Sequence, residues 1–273
     1  MTANREQQTR NPAPFAQAAL AVLTIAAVAA LFLLPRIPQD LAYHTFADRR
    51  TLIGIQHCLN VISNFPFAIV GALGLFALLG KRAQKEIAFI DPRERWPYMI
   101  FFLGVALTSV GSSYYHLAPD NERLVWDRLP MTLGFMSIFA AIISERVSLR
   151  GGKRLLVPLL GVGLASVVYW RMSEASGAGD LRLYGVVQFY PLIAIPLMLA
   201  LFPPRYTRGA DMVGVLALYG AAKVLEALDA MIFSAGHIIS GHSLKHLAAA
   251  AAAYWVLIML KKRSPLQSAP EPR

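Results

Sequence analysis

The sequence predicts an all-α, polytopic membrane helical bundle, and three observations predict it. Hydrophobic residues fill 56% of its 273 positions, and the mean hydropathy is +0.49. Only 15% of residues are charged, against about 25% in a soluble domain. Eight stretches also approach the roughly 20 apolar residues that a helix needs to cross a bilayer. They run at about 16–35, 57–80, 97–117, 129–145, 154–171, 184–203, 210–232 and 242–260. The net charge of +10 would suggest nucleic acid in a soluble protein. In a membrane protein the same charge gathers in cytoplasmic loops, so no nucleic-acid partner is expected. The single cysteine, Cys58, excludes an intrachain disulfide and a cysteine-built zinc site.

The first stretch, AQAALAVLTIAAVAALFLLP, can be read as a signal peptide or as a retained span. Its apolar run is long for a signal peptide, so a retained helix is expected. The next seven stretches then form a seven-transmembrane core with one extra N-terminal span. The chain divides into 1–56 (tail, extra helix and outer loop), 57–260 (core) and 261–273. The last of these, KKRSPLQSAPEPR, is polar and proline-rich and reads as a disordered cytoplasmic tail. Loop charge sets the orientation. With the N-terminus inside, the inner segments hold 17 lysines and arginines, including Lys81, Arg82, Lys85, Arg146, Arg150, Lys261 and Lys262. The outer segments hold 7, namely Arg36, Arg49, Arg50, Arg123, Arg128, Arg171 and Arg182. Both termini are therefore expected in the cytoplasm, in keeping with an even number of spans. Trp96, Trp126 and Trp255 suit an aromatic belt.

Polar chemistry recurs at one predicted depth. His242 and His246 are four residues apart in SGHSLKHL, so on a helix they share a face and can hold one metal ion. Ser112 and His116 show the same spacing at the outer end of the third span. Asp127 opens the fourth. The charge-based topology brings all five to the outer side, although the histidines lie far apart in sequence. Three histidines with an open position form a catalytic zinc pattern. Zinc would lower the pKa of water to about 7, Asp127 would move its proton to a leaving group, and Ser112 would donate to a developing oxyanion. Singly, each residue has a plainer reading. A histidine at a helix end can be interfacial, Ser112 can bond a carbonyl of its own helix, and Asp127 can cap its helix. Their convergence at one depth favours the metal.

This set resembles the alkaline ceramidases, whose superfamily also includes the progestin/adiponectin-type receptors and lipid-remodelling proteins. The matching pieces are Ser112 and His116 in S-x-x-x-H, Asp127 in WDRLPM, and His242 and His246 in GHSLKHL, with NVISNFPF (60–67) resembling the stretch that opens the ceramidase core. The resemblance spans 57–260. It implies a seven-helix core that binds Zn²⁺ through His116, His242 and His246, with Ser112 and Asp127 as catalytic partners. It implies hydrolysis of a lipid amide, ceramide or another N-acyl lipid. The ceramidase branch, not the receptor-type branch, has its C-terminus inside. The calcium site of eukaryotic relatives is expected to be absent: His57 stands where they carry Glu, and Asp48 is the one remaining carboxylate. Ca²⁺ takes six to eight oxygens.

The expected function is thus an integral-membrane, zinc-dependent amidohydrolase acting on a membrane lipid. A lipid ester hydrolase and a non-catalytic metal-stabilised sensor or receptor are the alternatives. The compact loops suggest a bacterial inner membrane with the site toward the periplasm. Other polar residues are assigned more loosely. Lys223 and Glu226 are expected to pair. Asp229 either orients a ligand imidazole or joins that ion-pair cluster. Lys245 is expected to project to a different face from its histidine neighbours and reach water or a lipid phosphate, with Glu226 or Asp229 as possible partners. His44 and His237 read as interfacial. Asn60, Ser63 and Asn64 read as a polar patch bonding neighbouring helices.

Overall fold

The computed structural model describes residues 14–80 and 87–266. Ten α-helices make up the described chain: α1 Pro14–Leu33, α2 Cys58–Ile62, α3 Phe65–Leu79, α4 Arg95–Leu117, α5 Asn121–Ile142, α6 Leu149–Ala175, α7 Arg182–Leu201, α8 Asp211–Ala227, α9 Asp229–Gly236 and α10 Gly241–Lys262. Among the described residues there is no β-strand beyond two isolated bridges. With α2 and α3 taken as one element, seven helices are long and apolar enough to cross a membrane. Lys81, Arg82 and Lys85, the N-terminal tail with Arg5 and Arg10, and residues 267–273 lie outside the described residues.

The seventh expected stretch, 210–232, is not one helix. It divides at Leu228 into α8 and α9, and α8 is only 17 residues long. Even so, α8 runs antiparallel along α10. Gly214 lies against Trp255, and Glu226 meets Lys245 at the other end. The break is held from two sides by Asp229, whose carboxylate accepts from the backbone N–H of His242 at 2.8 Å and of Ala47 at 2.9 Å. A Cβ at position 241 would strike the carbonyl oxygen of Leu225 and Cα of Asp229. Gly241 therefore lets α10 begin pressed against the α8–α9 joint.

α5 also departs from expectation, starting at Asn121 instead of near 129. Asp120 caps it, accepting from Arg123 N at 2.7 Å, and Ser240 caps α10 by accepting from Ser243 N at 3.2 Å. Such caps satisfy the free N–H groups of a helix start. The capping reading of Asp127 is thereby removed, since Asp127 sits inside the helix, buried. α4 and α5 approach closely where Gly111 meets the carbonyl of Trp126, which brings Ser112 beside Asp127. α1 lies mostly exposed against the bundle. It touches α7 through Thr24 and Tyr190, whose hydroxyls are 2.7 Å apart.

The antiparallel helices give the bundle two unlike ends. α4 finishes, and α5 and α10 start, at what we call the histidine end. The far end gathers Tyr98, Glu145, Tyr206 and Arg263, which bond one another or pack together there. Of the segment read as a tail, Lys261 and Lys262 end α10, and residues 263–266 are tied down at the far end. Ser264 and Thr207 bond each other's backbone and side chain, and Leu266 N–H donates to the carbonyl of Arg205 at 2.9 Å.

Candidate metal centre

His116, His242 and His246 come together at the histidine end, all buried, with ligand-capable ring atoms within 4.8 Å of one another. Nε2 of His116 and Nε2 of His242 are 3.3 Å apart. Two nitrogens bound tetrahedrally at 2.0–2.1 Å from one zinc ion would stand roughly 3.3 Å apart, so this pair has the spacing the ion needs.

His246 gives a sharper indication. Its Nδ1 lies 2.8 Å from the Ser63 hydroxyl. That hydroxyl has one proton, which it donates to the carbonyl of Asn60 at 3.1 Å. A carbonyl only accepts, so Ser63 must accept from Nδ1–H of His246. Nε2 of His246 is then left with a bare lone pair. It is buried and has no hydrogen-bond partner. An unsatisfied buried acceptor costs free energy. A metal ion removes that cost, and a hydrogen bond to the remaining ring nitrogen is the usual way a ligand histidine is oriented. Of the polar patch at 60–64, Asn60 and Ser63 bond the neighbouring α10, whereas Asn64 donates to the Asn60 carbonyl of its own segment at 2.8 Å. Asn60 Oδ1 accepts from Ser243 at 2.7 Å and Ser240 at 3.3 Å, while Ser63 bonds the His246 ring itself.

Phe46 roofs the cluster, its ring centroid 4.7 Å from that of His116 and 4.5 Å from that of His242. It belongs to the segment between α1 and α2, which is fastened over the site. Asp48 grips Arg50 with both oxygens, and Arg50 donates to the carbonyls of His237 and Ile238. The carboxylate of Asp48 is thus engaged by Arg50 and held below its ordinary pKa by those hydrogen bonds. His44 is also tied in, to the Tyr115 hydroxyl and Asn121 Oδ1, each at 2.9 Å.

Ser112 and Asp127 flank the close approach of α4 and α5 at Gly111 and Trp126, and both side chains are buried. They line a cavity of about 810 Å³ together with His246, Lys245 and Glu226, a size within the roughly 300–1,000 Å³ of ligand pockets. The rest of its wall is overwhelmingly apolar and comes from α1, α4, α5, α7, α8 and α10. The site thus combines a closed imidazole cluster, a hydroxyl–carboxylate pair and a greasy chamber.

Lys245 does not reach outward to water or a lipid phosphate. Its ammonium donates to Glu226 Oε1 at 2.8 Å and lies 3.3 Å from Nε2 of His242. Positions 242 and 245 are neighbours on a helix at i, i+3, so the two side chains share a face. Lys223 pairs with Glu226 as expected. Asp229 neither bonds an imidazole nor joins that cluster; it holds the backbone of His242.

Several participants were not visible in sequence. Ser63, Phe46 and Tyr43 lie on other segments, and no spacing rule connects them to the histidines. Arg128, counted above as an outer-loop charge, is buried inside α5 and lines the cavity. No family model matches the chain, and no curated protein matches it.

Proposed function

We propose that this protein is an integral-membrane, zinc-dependent hydrolase that cleaves the N-acyl amide bond of ceramide or a related lipid. The observation that carries the reading is the meeting of three buried imidazoles, one of which, His246, lines an apolar cavity together with Ser112 and Asp127. His116, His242 and His246 would hold Zn²⁺, which when bound acidifies water and polarises a carbonyl. Every other task falls to the chain. Ser63 keeps Nε2 of His246 free of its proton. The cavity takes the acyl chain and keeps bulk water from the scissile bond. Asp127 accepts a proton from water and delivers it to the departing amine nitrogen. The Ser112 hydroxyl donates to the carbonyl oxygen as charge builds there.

A sensor with a structural metal needs the imidazoles and Ser63, but neither Ser112 nor Asp127. Their position on the cavity wall favours turnover. The orientation belongs to the same proposal: eight crossings, both termini cytoplasmic, and the site facing the periplasm of a bacterial inner membrane. It is supported by Arg146, Arg205 and Arg208 lying in the segments that join the helices at the far end, and by Arg150 in the first turn of α6 there.

The test is metal analysis of the purified protein with a hydrolysis panel of N-acyl and O-acyl lipids. One zinc per chain and amide cleavage are expected. Cleavage should disappear in His246→Ala and Asp127→Ala, and the second variant should keep its zinc. Absence of bound zinc overturns the proposal. Bound zinc without cleavage turns the reading to a sensor, and full activity in Asp127→Ala removes the proton-transfer role.

A further inference from the structure

Six charged residues lie on the cavity wall: Asp127, Arg128, Arg182, Lys223, Glu226 and Lys245. Arg182 is matched outside it by Asp180 at 2.7 Å. Lys223 and Lys245 share the single carboxylate of Glu226. Arg128 has no carboxylate within ion-pair distance among the described residues. Its Nη2 donates to the neutral Gln39 amide at 2.6 Å, and its Nη1 is buried without a partner. Of the acids around it, Glu174 accepts from Gln39 N and Trp170 Nε1, and Asp127, the next residue, feels the Arg128 charge but forms no ion pair with it.

The surroundings of Arg128 are built rather than incidental. Its guanidinium stacks on Trp170 at 4.2 Å and Tyr184 at 4.6 Å, with Tyr43 at 5.6 Å. Aromatic rings cover the faces of a guanidinium and leave its edge donors, whose fork geometry suits a carboxylate or a phosphate. Arg128, Lys245, Asp127 and Glu226 all lie within electrostatic reach of Tyr43, so the unmatched cation and the shared lysine belong to one polar end of the chamber. A buried charge without a direct ion-pair partner is expensive, and a ligand anion would supply one.

We propose that Arg128, assisted by Lys245, binds an anionic group on the lipid held in the cavity. The preferred substrate then carries a carboxylate or a phosphate near its acyl linkage, unlike neutral ceramide. This names the substrate class for the hydrolase reading and rests on it.

The test uses the full chain, freed of metal, in a neutral detergent, with binding followed by intrinsic tryptophan fluorescence. Two matched pairs serve as probes. N-palmitoylglycine is set against its methyl ester, and 1-palmitoyl lysophosphatidic acid against 1-monopalmitoylglycerol. At least one acid should bind about tenfold or more tightly than its neutral partner, as a charge-assisted hydrogen bond allows. The pair that shows the preference identifies carboxylate or phosphate. Arg128→Gln should abolish the preference, and Lys245→Gln should weaken it. Equal binding within both pairs by the unaltered protein overturns the proposal, whether or not Arg128→Gln folds. So does a preference that survives in a folded Arg128→Gln. Preference without turnover by the zinc-loaded protein leaves the anion site standing and removes the hydrolase. Turnover without preference does the reverse.

Discussion

Arg128 and Arg263 are the same side chain in two nearly equivalent cages at opposite ends of the bundle. Both are buried, at 5% and 3% exposure. Both stack on three aromatic rings: Trp170, Tyr184 and Tyr43 around Arg128, and Tyr206, Phe89 and Tyr98 around Arg263. The difference is the partner. Arg263 bonds Glu145, which also accepts from the Tyr98 hydroxyl at 2.8 Å. Beside it Arg205 meets Glu94 at 2.9 Å, and Tyr206 bonds the same carboxylate. Arg128 has only an amide. At the far end two carboxylates thus match two arginines inside the protein. Both guanidinium groups keep a buried nitrogen without a partner, but at the histidine end the guanidinium has no carboxylate and an imidazole nitrogen there is unpartnered. One end is a structural clasp, and the other we propose to be a receptor for a metal ion and an anion.

The contrast is broken most forcefully by removing the carboxylate of the clasp. Glu145→Gln leaves Arg263 buried and unmatched, which should cost about 3–5 kcal/mol in thermal or denaturant unfolding in detergent. Arg128→Met removes a charge that already lacks a partner and should cost far less. If the two variants lose stability equally, the ends are not different in kind. Gly241→Ala comes next. The added methyl pushes α10 off the α8–α9 joint and should destabilise by about 1–3 kcal/mol, with loss of metal binding because His242 moves. Unchanged stability and zinc content would show that this close approach does not set the site. Ser63→Ala should leave the fold intact and weaken zinc about 10–100-fold in competition with a chromophoric chelator. Unaltered affinity would remove Ser63 as the group that fixes the His246 tautomer.

The smallest effect concerns the roof. The hydrogen bonds from Arg50 lower the pKa of Asp48. Its contribution is therefore fully present above the ordinary carboxylate value of about 3.9 and is lost as pH falls through the lower folded value. Amide exchange over 45–58 should stay slow from pH 8 to 5 and accelerate only below about pH 4. A roof that loosens near pH 6 would point to histidine instead.

Much of this arrangement was legible in the chain because membrane helices declare themselves by length and apolarity. The pairs 112/116 and 242/246 could be placed together because loop charge alternates across the bilayer. The same rules failed where polar residues sit inside helices. Asn121–Arg128 reads as a loop because it carries four charged residues, yet it forms the first turns of α5. Lys223, Glu226 and Asp229 gave no warning that α8 stops at Leu228, because the break is sustained by tertiary bonds from Ala47 and His242. The role of Ser63 depends on which of two acceptors takes one proton, and no periodicity encodes that.

The central claim is that the histidine end is built to be completed by a metal. X-ray absorption at the zinc edge, on protein purified without chelators and supplied with zinc, tests it most directly. The account predicts about one zinc per chain with three imidazole nitrogens at about 2.0–2.1 Å, and loss of that shell in a folded His246→Ala. Protein that takes up no zinc, or zinc whose shell is unchanged in His246→Ala, would contradict it.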